Sequence, residues 1–173
     1  MTAALRDLAT QIGELCRLEG EFRLRSGTTA TTYFDKYLFE ADPAVLRAVA
    51  DQLALLVPDD VEVLAGLELG GVPVVTALSL ATGLPAAFVR KVAKPYGTAK
   101  LAEGAAIECR RVLVVEDVIT TGGQAAESTR DLRDRGAEVN AVLCVIDRSG
   151  GDHRVLDDEG IELISLFSAA DLE

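Results

Sequence analysis

The sequence predicts an α/β fold, a central and mainly parallel sheet flanked by helices, with a small hood at its N-terminal end. Three observations lead there. From residue 42 onwards, apolar runs of strand length alternate with amphipathic segments of helix length, the pattern of parallel strands joined by crossovers. One run, 112–115, is an unbroken Val-Leu-Val-Val, the composition of a central strand buried on both faces. The 173 residues are 49% hydrophobic, enough for one sizeable core.

Taken in order, residues 3–18 carry apolar side chains at Leu5, Leu8, Ile12, Leu15 and Cys16, a helical stripe. Residues 22–27 and 31–39 read as short extended pieces around a glycine turn. Asp42 followed by Pro43 is a helix start, with Val45, Leu46, Val49, Leu53 and Leu56 as the buried face until Pro58 ends it. Residues 61–67 form a strand, Gly70-Gly71 a loop, 72–81 a helix and 86–89 a strand. A basic loop follows, then the strand from Val112, a helix over 124–135, a strand over 138–146, a helical turn at 155–159 and a strand at 162–166. The whole reads as one domain, residues 1–173: helix and hood over 1–41, α/β core over 42–173, and a mobile loop at 90–104. The first 41 residues are long enough to cover the strand ends but too short for a core of their own.

The net charge is −11, which argues against nucleic acid as a partner, since a binding face needs clustered cations. No apolar run approaches 18 residues and no signal-peptide pattern precedes the first helix, so a cytoplasmic protein without a membrane segment is expected. Cys16, Cys109 and Cys144 fit neither a disulfide framework nor a zinc site and are expected to be buried or inert. His153, the single histidine, follows Gly150-Gly151-Asp152 and is expected in solvent. Four of the 17 basic residues, Arg90, Lys91, Lys94 and Lys100, fall within eleven positions, with Gly97 and Gly104 as hinges. A local cationic loop on an acidic protein suits capture of a small polyanion.

The most informative stretch is 112–124, Val-Leu-Val-Val-Glu-Asp-Val-Ile-Thr-Thr-Gly-Gly-Gln. A buried strand places Glu116 and Asp117 at its carboxyl end, where open α/β sheets bind ligands. Val118 and Ile119 lead into Thr120, Thr121, Gly122, Gly123 and Gln124, a turn whose free N–H groups lie at the positive end of the next helix and suit a phosphate. It is neither a Walker loop nor a dinucleotide fingerprint. This segment resembles the phosphoribosyl-pyrophosphate (PRPP) signature of type I phosphoribosyltransferases. The resemblance implies that fold, with the two carboxylates on the ribose 2- and 3-hydroxyls and the loop on the 5-phosphate.

Four motifs in order extend the likeness over nearly the whole chain, to the orotate phosphoribosyltransferase family. Phe-Arg-Leu-Arg-Ser-Gly at 22–27 with Tyr33-Phe34-Asp35 resembles the family's hood, and Gly-Leu-Glu-Leu-Gly-Gly-Val-Pro at 66–73 its pyrophosphate loop, here Glu68, Leu69, Gly70 and Gly71. Val-Arg-Lys-Val-Ala-Lys at 89–94 with Tyr96-Gly97 and Glu103-Gly104 resembles its mobile catalytic loop, and Ile146-Asp147-Arg148 the strand end that supplies an arginine to orotate. The resemblance implies transfer of ribose 5-phosphate from PRPP to orotate, giving orotidine 5′-monophosphate and pyrophosphate in pyrimidine nucleotide synthesis. It implies Mg²⁺ held mainly by PRPP and water, with no protein ligand directly assigned. It also implies a homodimer whose mobile loops reach the neighbouring site. Lys94, Glu116 and Asp117 are then the catalytic residues, and Arg90 and Lys91 join Lys94 on the diphosphate. Arg148, Arg25, the Thr120 region and either Tyr33 or Phe34 meet orotate, Arg148 by a bidentate contact with its carboxylate.

The chain departs from the commonest family pattern at four places. Arg25 stands where the hood often has lysine. Gly70 stands where many relatives carry lysine, so backbone N–H groups have to replace that cation. Pro95-Tyr96 replaces a frequent Asp-His pair, and Thr98 replaces Glu in some members. Two other readings compete. A purine phosphoribosyltransferase has no substrate carboxylate for Arg148. A PRPP-sensing regulator calls for a DNA-binding face that this acidic chain lacks.

Overall fold

The computed structural model describes residues 1–23, 27–92 and 101–173. The first helix, α1 (Ala3–Cys16), starts where the Thr2 hydroxyl accepts the Leu5 N–H, and buries Leu8, Ala9, Ile12 and Cys16. An antiparallel hairpin follows, β1 (Arg17–Arg23) with β2 (Thr29–Phe34), its register shifted by a bulge between Glu19 and Phe22. The expectation of extended chain through residue 39 is corrected by a short helix, α2 (Tyr37–Ala41). The Asp35 carboxylate accepts the Tyr37 N–H and starts that turn, which drives Phe39 into the core.

Helix α3 (Pro43–Leu53) begins as expected, with the Asp42 carboxylate accepting the N–H groups of Ala44 and Val45 and proline in the first turn. It closes with a 3-10 turn, Ala54–Leu56, before Pro58. Then come β3 (Val63–Leu67), α4 (Gly71–Thr82), β4 (Ala86–Val89), β5 (Ala102–Gly104), β6 (Val112–Ile119), α5 (Gly123–Arg133), β7 (Ala141–Asp147), α6 (Arg154–Asp157) and β8 (Glu162–Ser168), followed by a final 3-10 turn, Ala169–Leu172.

These strands form a six-stranded sheet in the order β5-β4-β3-β6-β7-β8. All neighbours are parallel except the edge pair β4 and β5. The antiparallel edge lies inside the stretch expected as a mobile loop over 90–104, and corrects its C-terminal limit. Gly104 is paired with Ala87 rather than free; its φ is +95° and a Cβ there would come within 2.7 Å of the Ala86 carbonyl. The base of the loop is closed by the Arg90 N–H donating to the Leu101 carbonyl at 2.9 Å.

Strand alternation sorts the core into two layers. Leu64, Leu113, Val115, Leu143 and Phe167 pack with α1, α3 and α4 on one face. Val63, Ala65, Val112, Val114 and Val142 pack with Ala125, Ala126 and Leu132 of α5 and Leu156 of α6 on the other. The hood helix therefore shares the core of the sheet, through Ile12 and Cys16. The sheet order puts β6 at the centre, flanked by β3 and β7, which is why its four apolar residues have no polar alternation.

Two of the thiols are buried as expected, and burial pushes the Cys16 thiol up to about 11 and Cys144 higher still. Cys109 is exposed, in a turn with φ of 56°. Among the described residues no helix is long and apolar enough to cross a membrane.

Candidate active site

Strand β6 does not stop at Val115. It continues through Glu116 and Asp117 to Ile119, so the two acids lie within the strand and are buried, at 8% and 0% exposure. Asp117 faces the start of α4, where a Cβ on Gly70 would meet its Oδ2. Glu116 Oε1 accepts the Asp117 N–H at 3.1 Å, and Asp117 Oδ1 accepts the Val118 N–H at 2.6 Å.

Two groups outside the sequence motifs meet Asp117. Lys36, which precedes α2, brings its Nζ to 2.5 Å from Asp117 Oδ2. Glu40, on α2 and 8% exposed, turns Oε1 toward the same point without an aligned hydrogen-bond partner. Burial opposes ionisation of Asp117, but its contacts with Glu116, Glu40 and Lys36 outweigh that and hold it below the ordinary carboxylate range. Burial first, and the Asp117 carboxylate second, push both Glu40 and Glu116 well above it. Burial also disfavours the charge on Lys36, but the contact with Asp117 prevails and raises its pKa. One anion, two neutral acids and one cation are thus packed at the carboxyl end of the central strand.

The loop between β3 and α4 covers this cluster. Gly66, Gly70 and Gly71 permit the approach: a Cβ on Gly71 would stand 2.5 Å from the Val115 carbonyl, and one on Gly70 would stand 1.7 Å from Asp117 Oδ2. The Glu68–Leu69 peptide is cis. Glu68 is tied to the next strand, its N–H donating to the Val89 carbonyl and its Oε1 accepting the Lys91 N–H at 2.6 Å. Leu69 is exposed. Arg90 lies at the loop base with its Nε buried and lacking a hydrogen-bond partner. Lys91 is exposed, while Lys94, Lys100 and the Pro95, Tyr96, Gly97 and Thr98 positions lie outside the described residues, as does Arg25.

At the end of β6, Val118 is half-buried and Ile119 buried, and beyond it Thr120 and Thr121 are exposed. Gly122 takes φ of +75°, and its missing side chain makes room for Leu156, whose Cγ a Cβ would meet at 2.9 Å. Gly123 opens α5, its N–H facing Thr121 Oγ1 at 3.4 Å, and Gln124 reaches Ser128. The first-turn N–H groups of an 11-residue helix therefore point at the Thr120–Thr121 turn.

Arg148 follows β7, its N–H donating to the Ile119 carbonyl at 2.7 Å. Its guanidinium lies 5.5 Å from the Phe34 ring centroid, and it has no carboxylate partner among the described residues. Tyr33 packs on Phe22 at 5.5 Å. Arg148, Phe34 and Tyr33 line one cavity of about 340 Å³ with Arg17 and Leu172. Thr120 is not in it; it borders a second hollow with Thr121, Ser149 and Arg154. His153 departs from the solvated expectation, since its Nε2 lies 2.9 Å from Asp147 Oδ2. That contact, with the Ser149 N–H, occupies Asp147 and leaves Arg148 to the aromatic ring.

No protein-family model matches the chain. It is 54% identical over 166 residues to the orotate phosphoribosyltransferase of Nocardioides sp., spanning 96% of this chain and 93% of that one. The chain belongs to the orotate phosphoribosyltransferase family. The orotate phosphoribosyltransferase of Halobacterium salinarum is 45% identical over 153 residues, 88% of this chain and 87% of that one. The crystal structure of Mycobacterium tuberculosis orotate phosphoribosyltransferase in complex with PRPP matches at a TM-score of 0.83 with 32% identity, covering 98% of each chain. Within this member of the orotate phosphoribosyltransferase family, Lys36 and Glu40 are the polar residues that sequence reading missed. Their only signal was the Asp-Lys and Phe-Glu pairs beside the hood, where no periodicity shows which side chain turns inward.

Proposed function

We propose that this chain transfers ribose 5-phosphate from PRPP to orotate, giving orotidine 5′-monophosphate and pyrophosphate in pyrimidine nucleotide synthesis. The observation that carries the reading is the convergence of buried Glu116 and Asp117, the Gly122–Gly123 helix start and the Glu68–Gly71 loop on one end of β6, with Arg148 over Phe34 at the neighbouring strand end. The 5-phosphate is held by the N–H groups of residues 120–124. The ribose hydroxyls donate to Glu116 and Asp117, and the diphosphate lies along Glu68, Leu69, Gly70 and Gly71 beneath Arg90, Lys91 and Lys94.

The reaction breaks the bond from C1 of the ribose to the diphosphate oxygen, which departs with the electron pair, while orotate N1 forms the new bond from the opposite face. Negative charge gathers on the leaving group and positive charge on the ring. Arg90, whose Nε lacks an acceptor, and Lys94 from the mobile loop stabilise the first; the Asp117 carboxylate beneath the ribose favours the second. Closure of the loop excludes water, whose attack on C1 is the competing outcome. Arg148 grips the orotate carboxylate while Phe34 or Tyr33 lies against the ring, and Arg25 and Thr120 complete the base site.

Mg²⁺ belongs to the same reading. The donors at the strand end are hard oxygens, which suit it, but no three metal-binding side chains converge among the described residues. It would therefore arrive on PRPP, with Glu116 and Asp117 as the residues near its waters, and it would offset diphosphate charge. A homodimer that exchanges the loops joining β4 to β5, in the cytoplasm, completes the proposal. Incubation of the purified protein with PRPP, Mg²⁺ and, separately, orotate, adenine, guanine or xanthine tests it: orotidine 5′-monophosphate alone is expected, and a purine nucleotide as the main product would overturn it.

A further inference from the structure

The diphosphate has an electrostatic problem at the end of β6. Asp117, a buried carboxylate, lies where an anionic sugar diphosphate has to settle, with Glu40 and Glu116 beside it as neutral acids, and all three are 8% exposed or less. The loop that covers them brings no cation to that point. Its Gly70 backs directly onto Asp117, and a Cβ there would stand 1.7 Å from Oδ2 and 3.0 Å from Glu40 Oε1, so no side chain of any kind fits.

Lys36 reaches the same place from the other side. Its Nζ touches Asp117 Oδ2, and its side chain is still 34% exposed while Asp117 is fully buried. The ammonium thus sits at the mouth of the cluster, with one side on the acid and the other open to an incoming ligand. It is the cation that contacts these acids among the described residues. An ammonium has three donors, and Asp117 takes one.

We infer that Lys36 is a PRPP-binding residue: it holds Asp117 in place for the ribose and donates to the diphosphate, as the fixed cation of a site whose covering loop cannot carry one. The inference rests on the transferase reading above. Arg90 and Lys91 lie at the base of the stretch that carries Lys94, which is outside the described residues, whereas Lys36 is anchored beside the acid pair.

Steady-state kinetics of Lys36→Met and Lys36→Arg provide the test, with pyrophosphate and orotidine 5′-monophosphate as reverse substrates. Loss of one charge-assisted contact predicts a rise of roughly tenfold or more in KM for PRPP and for pyrophosphate in Lys36→Met. The KM for orotate should change less than about twofold, and Lys36→Arg should restore most of the loss. Unchanged PRPP and pyrophosphate constants, or PRPP and orotate constants that rise together, would overturn the inference. So would a loss confined to PRPP, since the diphosphate contact would then be wrong. Because Lys36→Met leaves a buried acid unpaired, the wild-type protein supplies a second measurement. Acetylation of Lys36, followed by peptide mass spectrometry, should slow when Mg²⁺ and PRPP are present and not with orotate alone; equal rates in all three would overturn the inference. Failure of the wild-type protein to turn over orotate would count against the transferase reading instead.

Discussion

Gly70 and Asp117 are in contact across the gap between the covering loop and the central strand, so close that one added methyl group would overlap the carboxylate. The glycine is therefore a requirement of the acid rather than a turn preference, and its φ of −68° is one that any residue adopts. Gly70→Ala should displace Asp117 or the loop. Overpacking of this kind costs about 1–3 kcal/mol. We expect a lowered melting temperature together with a loss of activity of at least about tenfold, each 1.4 kcal/mol of transition-state stabilisation being a factor of ten. Wild-type activity and stability in Gly70→Ala, measured by thermal unfolding and orotate depletion, would contradict this packing.

Arg148 stacks on Phe34 while its neighbour Asp147 is taken by His153 and Ser149. The guanidinium is thus pre-aimed and free to take a carboxylate. Arg148→Ala should raise the KM for orotate by roughly tenfold to a hundredfold, the range of a charge-assisted hydrogen-bonded pair, and leave PRPP binding within about twofold. Arg148→Lys should recover little, because an ammonium lacks the planar fork. Equal losses for both substrates would refute the assignment.

Much of this was legible in the sequence, for identifiable reasons. The Val-Leu-Val-Val run, the Asp42-Pro43 helix start and the glycine pair at the start of α5 each follow from local chemistry, and the structure has each of them. Illegible were contacts made at long range. Lys36 and Glu40 reach Asp117 only because Asp35 turns the chain into α2. The edge strand Ala102–Gly104 pairs with β4 through three residues, too few for any period to register. Backbone N–H groups were expected to stand in for a cation at Gly70; the lysine before α2 puts an ammonium beside that loop.

The acid cluster gives stability a definite pH dependence. Glu40 and Glu116 are each raised from 4.5 to about 9 by burial and by Asp117. Between those values the unfolded chain has lost the proton that the folded chain retains, so the folded state is progressively disfavoured as pH rises through the window. The ligand-free protein should melt at a lower temperature at pH 8.5 than at pH 6, about 6 and 8.5 both lying inside the window. Glu40→Gln should flatten that slope. A melting temperature that rises over this interval, or a slope unaffected by Glu40→Gln, would contradict the assignment.

Loop exchange between subunits can be read from mixing. Lys94→Ala and Asp117→Ala remove groups proposed to act at the same site from different chains. Each variant alone should be inactive, and after mixing and subunit exchange about a quarter of the sites, those with both groups intact, should recover activity, as expected for random pairing of a two-fold dimer. No recovery would mean that each loop serves its own chain.

The proposed transfer requires above all that a sugar diphosphate settle at the end of β6. Calorimetric titration of the purified, folded protein with PRPP in the presence of Mg²⁺ measures this directly. The predicted result is saturable binding at one site per chain, abolished by Asp117→Ala and weakened by chelation of the metal. Absence of uptake by the wild-type protein, or binding indifferent to Asp117, would contradict it.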